Sequence, residues 1–180
     1  MMKLKNILFP TDFSRCADQA LIHAVYLAEK YGATLHLLHV VTLFKDQPDV
    51  LSNELAETEV LIRKLEEKAE IELNTVASAH GTDDMEIVIK QKRAISAAPA
   101  ILEYSSKNGI DLIVMGTHGR RGIAHLLLGS AAEEVVRLAD CPVFTIRESE
   151  EIKPIKFTED LGFMNSKFNW KNMNTAGNKS

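Results

Sequence analysis

The chain alternates between short apolar runs and longer amphipathic segments. Five runs rich in aliphatic and β-branched residues predict buried strands at residues 5–11, 33–42, 85–91, 110–115 and 142–147. The segments between them predict four helices, at residues 14–31, 47–80, 96–108 and 130–139. Strands that alternate with helices in this way form right-handed crossovers. We therefore expect an α/β fold with a single doubly wound sheet of five parallel strands, in the order 3-2-1-4-5, and helices on both faces.

The first two helical segments predict which side chains are buried. Ser14 is a favourable N-cap for the first helix, and Gly32 suits its C-terminal end. The buried face of that helix should consist of Ala17, Leu21, Ala24, Ala28 and Tyr31. In the second helix, the apolar stripe expected to face the sheet consists of Leu51, Leu55, Thr58, Ile62, Leu65, Ala69, Leu73 and Val76.

A glycine-rich segment, GTHGRRGIAHLLLGS at residues 116–130, follows the fourth predicted strand and leads into a predicted helix. Glycines let main-chain N–H groups approach an anion, and a helix N-terminus adds donors and a partial positive charge. The spacing, Gly116-x2-Gly119-x9-Gly129-Ser130, is neither the Walker pattern nor GxGxxG. We therefore expect a phosphate-binding loop of another kind. The alternative is a crossover loop that needs its glycines only for turns.

Ser130 also has a structural explanation. Ser130-x-x-Glu133 fits a capping box, in which the hydroxyl serves the N–H groups of its own helix. A phosphate at the same helix start would compete for those groups or share them, so the two roles are not exclusive.

Composition and charge exclude several classes of partner. The 180 residues are 46% hydrophobic and 26% charged, as in ordinary globular chains. A net charge of −4 predicts no general affinity for nucleic acid or for an anionic membrane. We expect no signal peptide and no membrane span, since no apolar stretch approaches about 20 residues. Cys16 and Cys141 lack metal-binding spacing, which fits a reducing cytoplasm.

The sequence predicts one nucleotide-binding domain at residues 1–147, followed by an extension at residues 148–180. The extension has mixed charge, four aromatic residues and an end rich in glycine, asparagine and serine. It is either flexible or docked on its own domain or on a partner subunit.

Few side chains suggest catalysis or metal binding. His36 and His39 are three apart on a strand, so they face opposite sides and cannot share a metal. His118, in the glycine loop, could contact a phosphate, act as a general acid or be held by main-chain bonds. Asp12, at the end of the first strand, could bind an adenine amine or a ribose hydroxyl, hold Mg²⁺ through water, or serve as a turn acid at the helix start.

The two loops that follow strands one and four should meet. Ligands of doubly wound sheets bind at the carboxyl ends of the strands that flank the order switch, which here lies between these two strands. The turn at residues 10–14 and the glycine loop should both line that switch. Val40 and Val41, at the end of strand two, would add an apolar wall and main-chain groups that can bind a purine edge, or they belong to the core.

Together these residues resemble the universal stress protein family over about residues 3–147. The resemblance is carried by ILFPTDFS at residues 7–14, the pair His39-Val40, DLIVMGTHGRRG at 111–122, LLGSAAEEVVR at 127–137 and CPVFTIR at 141–147. It implies a fold like that of the adenine nucleotide alpha hydrolases. The complete G-2x-G-9x-G-[S/T] motif further implies the ATP-binding branch of the family.

The resemblance also implies a binding site and a partner. Pro10, Thr11 and Asp12 would contact adenine and ribose, and Val40 would bind adenine through its main chain. Ribose and phosphates would be surrounded by Met115, Gly116, His118, Gly119, Arg120, Gly129, Ser130 and Ala131. The ligand would be ATP, or ADP or AMP, with magnesium. Members of the family pair as homodimers through strand five, which here comprises Val143, Phe144, Thr145, Ile146 and Arg147.

Three functions remain open at this stage. The first is a stress-response regulatory protein that holds an adenine nucleotide and hydrolyses it slowly at most, because no P-loop lysine and no clear catalytic base is present. The second is an enzyme of similar fold, a phosphotransferase or nucleotidyl transferase that uses His118 and Asp12. The third is a dimerising protein with an empty site. The sequence gives neither the stress signal nor the downstream partner, nor which nucleotide the cell supplies.

Overall fold

The computed structural model describes residues 4–42, 55–81, 85–118 and 128–149. The elements along the chain are β1 (Asn6–Thr11), α1 (Arg15–Tyr31), β2 (Thr34–Thr42), α2 (Leu55–His80), β3 (Ile87–Ala94), α3 (Ala97–Lys107), β4 (Leu112–Gly116), α4 (Ser130–Leu138) and β5 (Val143–Ile146). The strands form one sheet in the order β3-β2-β1-β4-β5, and each neighbouring pair is parallel. The predicted fold class and strand order are confirmed.

The sheet separates two apolar cores, because successive strand residues point to opposite faces. On one face, Ile7, Phe9 and Leu35 pack with residues of α1 and α2. On the other face, Leu8 and Leu38 pack with residues of α3 and α4. Burial on both faces explains why the strand sequences are nearly continuous in apolar character.

Helix α1 begins and ends where the sequence predicts. The Ser14 hydroxyl accepts a hydrogen bond from the N–H of Ala17 at 3.2 Å, as an N-cap does. At the other end, Gly32 has a φ of 60°, a left-handed conformation in which glycine carries no Cβ penalty. Tyr31, however, was expected to be buried and is 47% exposed. It is the last residue of the helix, and its ring stays at the surface with the Lys30 ammonium 6.0 Å from the ring centroid.

Helix α2 buries a shorter stripe than its sequence predicts. Ala69 and Leu73 are buried, as expected, but Leu65 is 38% exposed. At that level the helix meets β3 through polar groups: the Glu66 carbonyl accepts from the Gln91 amide, and its carboxylate binds Arg93. The predicted start of the helix at residue 47 and the side chains of Leu51, Leu55 and Thr58 lie outside what the structure describes.

Strand β3 extends further than the sequence predicts, to Ala94 rather than residue 91. It is an edge strand, so the charged side chains of Lys92 and Arg93 can point away from the core and pair with glutamates of α3 and α2. In the described part of the chain, no helix is both long enough and apolar enough to cross a membrane.

Candidate functional site

The sheet opens at the carboxyl ends of its two central strands. β1 pairs with β4 through Ile7 opposite Leu112 and Leu8 opposite Ile113. β1 then continues to Thr11 and β4 to Gly116, so both strands run on past their shared pairing. Residues 10–14 and the described ends of the glycine loop, residues 116–118 and 128–130, therefore lie at the order switch, where doubly wound sheets form a crevice for ligands.

Three of the predicted site residues project toward the same face of the sheet at this edge. Met115 belongs to the core between the sheet and the helices α3 and α4, and Val40 packs against that core. Pro10 lies two residues after Leu8 of the same core, so it projects to the same face. The structure thus brings Pro10, Val40 and Met115 together as apolar groups on the α3/α4 side.

The carbonyl of Val40 faces the crevice. The Thr34 N–H donates to the Lys5 carbonyl of β1, and alternate residues of a strand turn their peptide groups to the same neighbour. Val40 is six residues after Thr34, so its peptide groups also face β1. Since the pairing of β1 with β2 ends where Thr11 lies opposite His39, the Val40 carbonyl points past the end of β1.

The turn between β1 and α1, residues 11–14, satisfies its own main chain. The Thr11 hydroxyl accepts from the Phe13 N–H at 3.0 Å, and Asp12 Oδ1 accepts from the Ser14 N–H at 3.1 Å. Since the Ser14 hydroxyl also accepts from the Ala17 N–H, the side chains of this turn bind the N–H groups of Phe13, Ser14 and Ala17. Asp12 therefore acts as a turn acid at the start of the helix, which is one of the roles that the sequence suggested. Any contact with a ligand would be additional to this role.

Negative charge also accumulates beside the start of α1. Burial raises the pKa of Asp18, and the carboxylates of Asp12 and Glu72 raise it further. A polyphosphate bound at this helix would meet these carboxylates. The N-terminus of α1 is therefore a poor phosphate site on both hydrogen bonding and charge.

The start of α4 differs from that of α1. Its N-cap is Gly129, whose backbone is extended, and no side chain among the described residues caps the helix. The capping box expected at Ser130 and Glu133 is wrong, because Ser130 is already the first helical residue; the Glu133 N–H donates to the Gly129 carbonyl at 2.9 Å. The N–H groups of Ser130, Ala131 and Ala132 lie ahead of this first intrahelical bond, so they are suited to an anion.

Gly116 and Gly129 hold the ends of the glycine loop in place. A Cβ on Gly116 would lie 2.9 Å from Cys16 Sγ and 3.1 Å from the Cys16 main-chain carbon, so β4 can approach α1 only with glycine here. The Gly129 N–H donates to the Thr117 carbonyl at 2.7 Å, which returns the loop to the end of β4. The start of α4 consequently lies at the carboxyl end of β4.

His118, in the glycine loop, is hydrogen-bonded to the side chain of its neighbour Thr117. Its Nδ1 is 3.0 Å from the Thr117 hydroxyl. Gly119 and Arg120, which the sequence also assigns to the site, lie outside the described residues.

Thr11 is buried, with its hydroxyl engaged by the turn, whereas Ser130 is exposed at the start of α4.

Metal ligands do not cluster in the described ranges: no group of three histidine, cysteine, aspartate or glutamate side chains could hold a metal ion there. The two strand histidines lie on opposite faces, as predicted. His36 Nδ1 is 2.9 Å from the Tyr104 hydroxyl on the α3 side, whereas the ring of His39 lies against Phe13 at the start of α1.

Sequence reasoning missed two features of the site. Phe13 has a φ of 58°, a left-handed conformation that aromatic residues rarely adopt and that no sequence signal indicated. His39 was considered from the sequence only as a metal ligand and as part of a motif, but its Nδ1 donates to the Thr11 carbonyl at 2.8 Å and its ring centroid is 4.6 Å from that of Phe13. Together they fix the end of β1 against β2.

Comparison with known proteins identifies relatives of this chain. The model of the universal stress protein family matches residues 3–147. Universal stress protein MJ0531 of Methanocaldococcus jannaschii is 31% identical over 147 residues, which cover 82% of this chain and 84% of that protein. Universal stress protein G of Escherichia coli O157:H7 is 33% identical over 149 residues, which cover 79% of this chain and 99% of that protein.

Solved structures show the same fold. The hypothetical protein MJ0577 of Methanocaldococcus jannaschii superposes with a TM-score of 0.73 at 25% identity, covering 83% of this chain and all of that one. UspA from Lactobacillus plantarum gives a TM-score of 0.66 at 26% identity, covering 82% of this chain and all of that one. Since the family model spans the whole sheet and its helices, the chain belongs to the universal stress protein family.

Proposed function

We propose that this protein binds an adenine nucleotide, ATP or its products ADP and AMP, at the switch between β1 and β4, and that it acts as a stress-response regulator. The observation that carries the proposal is the start of α4, which no described side chain caps. Its leading N–H groups lie at the carboxyl end of β4, where the crevice opens. Main-chain donors and a helix dipole in this position favour a polyphosphate.

In the proposed complex, the phosphates lie against Gly129, Ser130 and Ala131. The remaining loop residues of the motif, Gly119 and Arg120, would complete the phosphate site together with Gly116 and His118. The negative charge near Asp12 and Asp18 directs the phosphates to α4 rather than α1.

The base occupies the other end of the crevice. The Val40 carbonyl, turned past the end of β1, accepts a hydrogen bond from the adenine amine. Pro10, Val40 and Met115 give the base an apolar surface on the α3/α4 side. The main chain of Thr11 and the carboxylate of Asp12 are placed to meet the ribose, since both lie in the turn at the end of β1.

A magnesium ion would be bound chiefly by the phosphates. Mg²⁺ commonly takes one or two carboxylates plus phosphate oxygens and water, and Asp12 is the acid that the crevice offers. We infer slow hydrolysis at most. Asp12 and His118, the two catalysts of the alternative enzyme, are each engaged in local hydrogen bonds, with Ser14 and Thr117 respectively.

A related protein gives the proposal a precedent at the level of the fold. A universal stress protein solved in complex with cAMP superposes with a TM-score of 0.51 at 23% identity, covering 81% of this chain and 98% of that one. That likeness concerns the fold alone. For this chain, the proposal depends on the Val40 carbonyl and the start of α4.

The proposal includes a homodimer in which two subunits pair through β5 and through Arg147, the residue that follows it. Both edge strands of the sheet could accept another strand, but they differ in charge. β3 carries Lys90, Lys92 and Arg93, and charged side chains discourage pairing at an edge. β5 (VFTI) has no charged side chain. We also propose a cytoplasmic location, which fits the free thiols of both cysteines.

The test compares two substitutions at one residue. Ser130→Pro deletes the first N–H of α4 and keeps the helix, because proline suits this position and the extended backbone of Gly129 suits the residue before a proline. Ser130→Ala deletes only the hydroxyl. Titration calorimetry with ATP and Mg²⁺ should show about tenfold weaker binding for Ser130→Pro and little change for Ser130→Ala. Equal affinity of all three proteins, or no binding by the wild type, would contradict the proposal.

A further inference from the structure

The pairing of β1 with β2 ends at Thr11 opposite His39, one step before β1 would supply a partner for the Val40 carbonyl. Along the pairing of β1 with β2, the Thr34 N–H donates to the Lys5 carbonyl, and the register continues without a break to Thr11 opposite His39. In a parallel pair, a residue that faces the neighbouring strand donates its N–H to one residue of that strand. Its carbonyl accepts from the N–H of the residue two positions further along the same strand. If the same pattern continued, the Phe13 N–H would be the partner of the Val40 carbonyl.

Phe13 gives its N–H to another acceptor. The N–H donates to the Thr11 hydroxyl at 3.0 Å, and the backbone of Phe13 turns into the left-handed region, with a φ of 58°. This conformation is uncommon for a bulky residue, and the surrounding contacts must compensate for its cost. As a result, the chain leaves the plane of the sheet at the point where an extended residue 13 would lie beside Val40.

His39 supports this departure from two sides. Its Nδ1 donates to the Thr11 carbonyl at 2.8 Å, which fixes the last residue of β1. Its ring lies against the ring of Phe13 at 4.6 Å between centroids, tilted by 31°. His39, which precedes Val40 on β2, therefore contacts both ends of the short turn from Thr11 to Phe13.

We propose that the Thr11 hydroxyl is a positioning group that makes the site select 6-amino over 6-oxo purines. By holding the Phe13 N–H, it keeps this donor and the chain that carries it away from the Val40 carbonyl. The Val40 carbonyl, to which the Phe13 N–H does not donate, then accepts from the amine of adenine and repels the 6-oxo oxygen of hypoxanthine or guanine. The inference rests on the proposed nucleotide site and specifies how that site distinguishes bases.

Two substitutions separate the hydroxyl from the rest of the side chain. Thr11→Val keeps the shape and removes the acceptor, so the half-buried Phe13 N–H is left to bind the Val40 carbonyl. Thr11→Ser keeps the acceptor and serves as the conservative variant. Thr11→Ala repeats the loss of the acceptor with a smaller side chain, in case Thr11→Val does not fold.

The experiment titrates each protein with ATP, ITP and inorganic triphosphate. For the wild type and Thr11→Ser, we expect ATP to bind more tightly than ITP. For Thr11→Val and Thr11→Ala, ATP binding should weaken about tenfold, which is the order of one hydrogen bond, and the ratio of ATP to ITP affinity should approach one. Binding of inorganic triphosphate should be unchanged, because the phosphates lie at α4.

Each outcome bears on a different claim. An unchanged ratio of ATP to ITP affinity in the variants that lack the hydroxyl would overturn the role of Thr11 while leaving the nucleotide site intact. Weaker binding of all three ligands in parallel would also overturn it, since a merely structural loss affects base and phosphate alike. A wild type that binds neither ATP nor inorganic triphosphate would overturn the proposed function itself, and this inference with it.

Discussion

The side-chain amide of Gln19 pairs with both main-chain groups of Ser149. Nε2 donates to the Ser149 carbonyl at 2.8 Å, and Oε1 accepts from the Ser149 N–H at 2.9 Å. Gln19 lies on α1 and is only 4% exposed, so the chain that leaves β5 is held against its own domain. Beside it, Arg15 and Glu148 form an ion pair at 3.5 Å. The C-terminal extension is thus anchored on its own subunit as far as Ser149.

Gln19→Leu should release this anchor. The substitution keeps the volume of the side chain but removes both hydrogen bonds to the Ser149 main chain, at a cost of about 1 to 3 kcal/mol for the two together. We expect faster hydrogen exchange at the Ser149 amide and faster tryptic cleavage after Arg147 than in the wild type. Arg15→Ala, which removes only the exposed ion pair, is the matched control and should change both rates little. An equally protected Ser149 amide in Gln19→Leu would show that the anchor lies elsewhere.

Gly116→Ala and Gly129→Ala should differ in their effect on stability. The new Cβ at Gly116 would lie 2.9 Å from Cys16 Sγ, whereas at Gly129 it would lie 3.3 Å from the Thr117 carbonyl. We expect Gly116→Ala to lower the free energy of unfolding by about 1 to 3 kcal/mol and Gly129→Ala to lower it less.

Denaturant unfolding of the two variants measures this difference. Adding Cys16→Ala should restore only part of the loss at Gly116, because the new Cβ also approaches the Cys16 main-chain carbon at 3.1 Å. Equal stability of Gly116→Ala and the wild type would show that Gly116 and Cys16 do not approach each other this closely.

His36 should contribute to the loss of stability in mild acid. Burial lowers its pKa from 6.5, and the Glu86 carboxylate offsets part of the shift. At pH values above 6.5 the imidazole is neutral in both states and has no effect. As the pH falls below 6.5, the unfolded chain takes up the proton first, so stability decreases until the pH passes the lower pKa of the folded state.

The His36 pKa can be measured by NMR titration. We expect a value below 6.5 in the wild type and a lower one in Glu86→Gln, which removes the offsetting charge. Substituting His36 by glutamine should reduce the decrease in the free energy of unfolding between pH 7 and pH 5. A His36 pKa at or above 6.5 would contradict the effect of burial.

Thr145→Pro should separate the proposed dimer without unfolding the subunit. The carbonyl of Pro142 accepts from Ile113 of β4, and that of Ile146 accepts from Thr117, directly after β4. The alternate residues Val143 and Thr145 therefore turn their peptide groups to the free edge. Proline at Thr145 therefore removes an outward N–H and spares the pairing with β4.

Light scattering of the purified protein should show a dimer for the wild type and for Thr145→Val, which keeps the N–H, and a monomer for Thr145→Pro. Circular dichroism should be the same for all three. A wild-type monomer, or a dimer that survives Thr145→Pro, would exclude pairing through β5.

The sequence predicts most of the fold because apolar periodicity records which faces are buried. It predicts the ends of α1 for the same kind of reason, since Ser14 and Gly32 each satisfy a local requirement. Periodicity does not record how far a helix extends over its sheet, and this is why Leu65 and Tyr31 were expected to be buried. The bond from Gln19 to Ser149 joins residues 130 positions apart and has no local signal.

The residues of the proposed site could be predicted to a different degree at its two ends. Glycine spacing and the following helix indicate the end proposed for the phosphates, although the cap at the start of α4 proved to be Gly129 rather than Ser130. At the base end, the left-handed Phe13 conflicts with the backbone preference of its own residue type. Only the folded contacts with Thr11 and His39 hold that conformation, so sequence alone could not indicate it.

A crystal structure of the protein soaked with ATP and Mg²⁺ is the most direct test of the nucleotide site. Phosphate oxygens should lie within hydrogen-bonding distance of the Ser130 and Ala131 N–H groups, and the adenine amine within the same distance of the Val40 carbonyl. A nucleotide bound at the start of α1 or away from the sheet, or a crevice without nucleotide at saturating ATP, would contradict it.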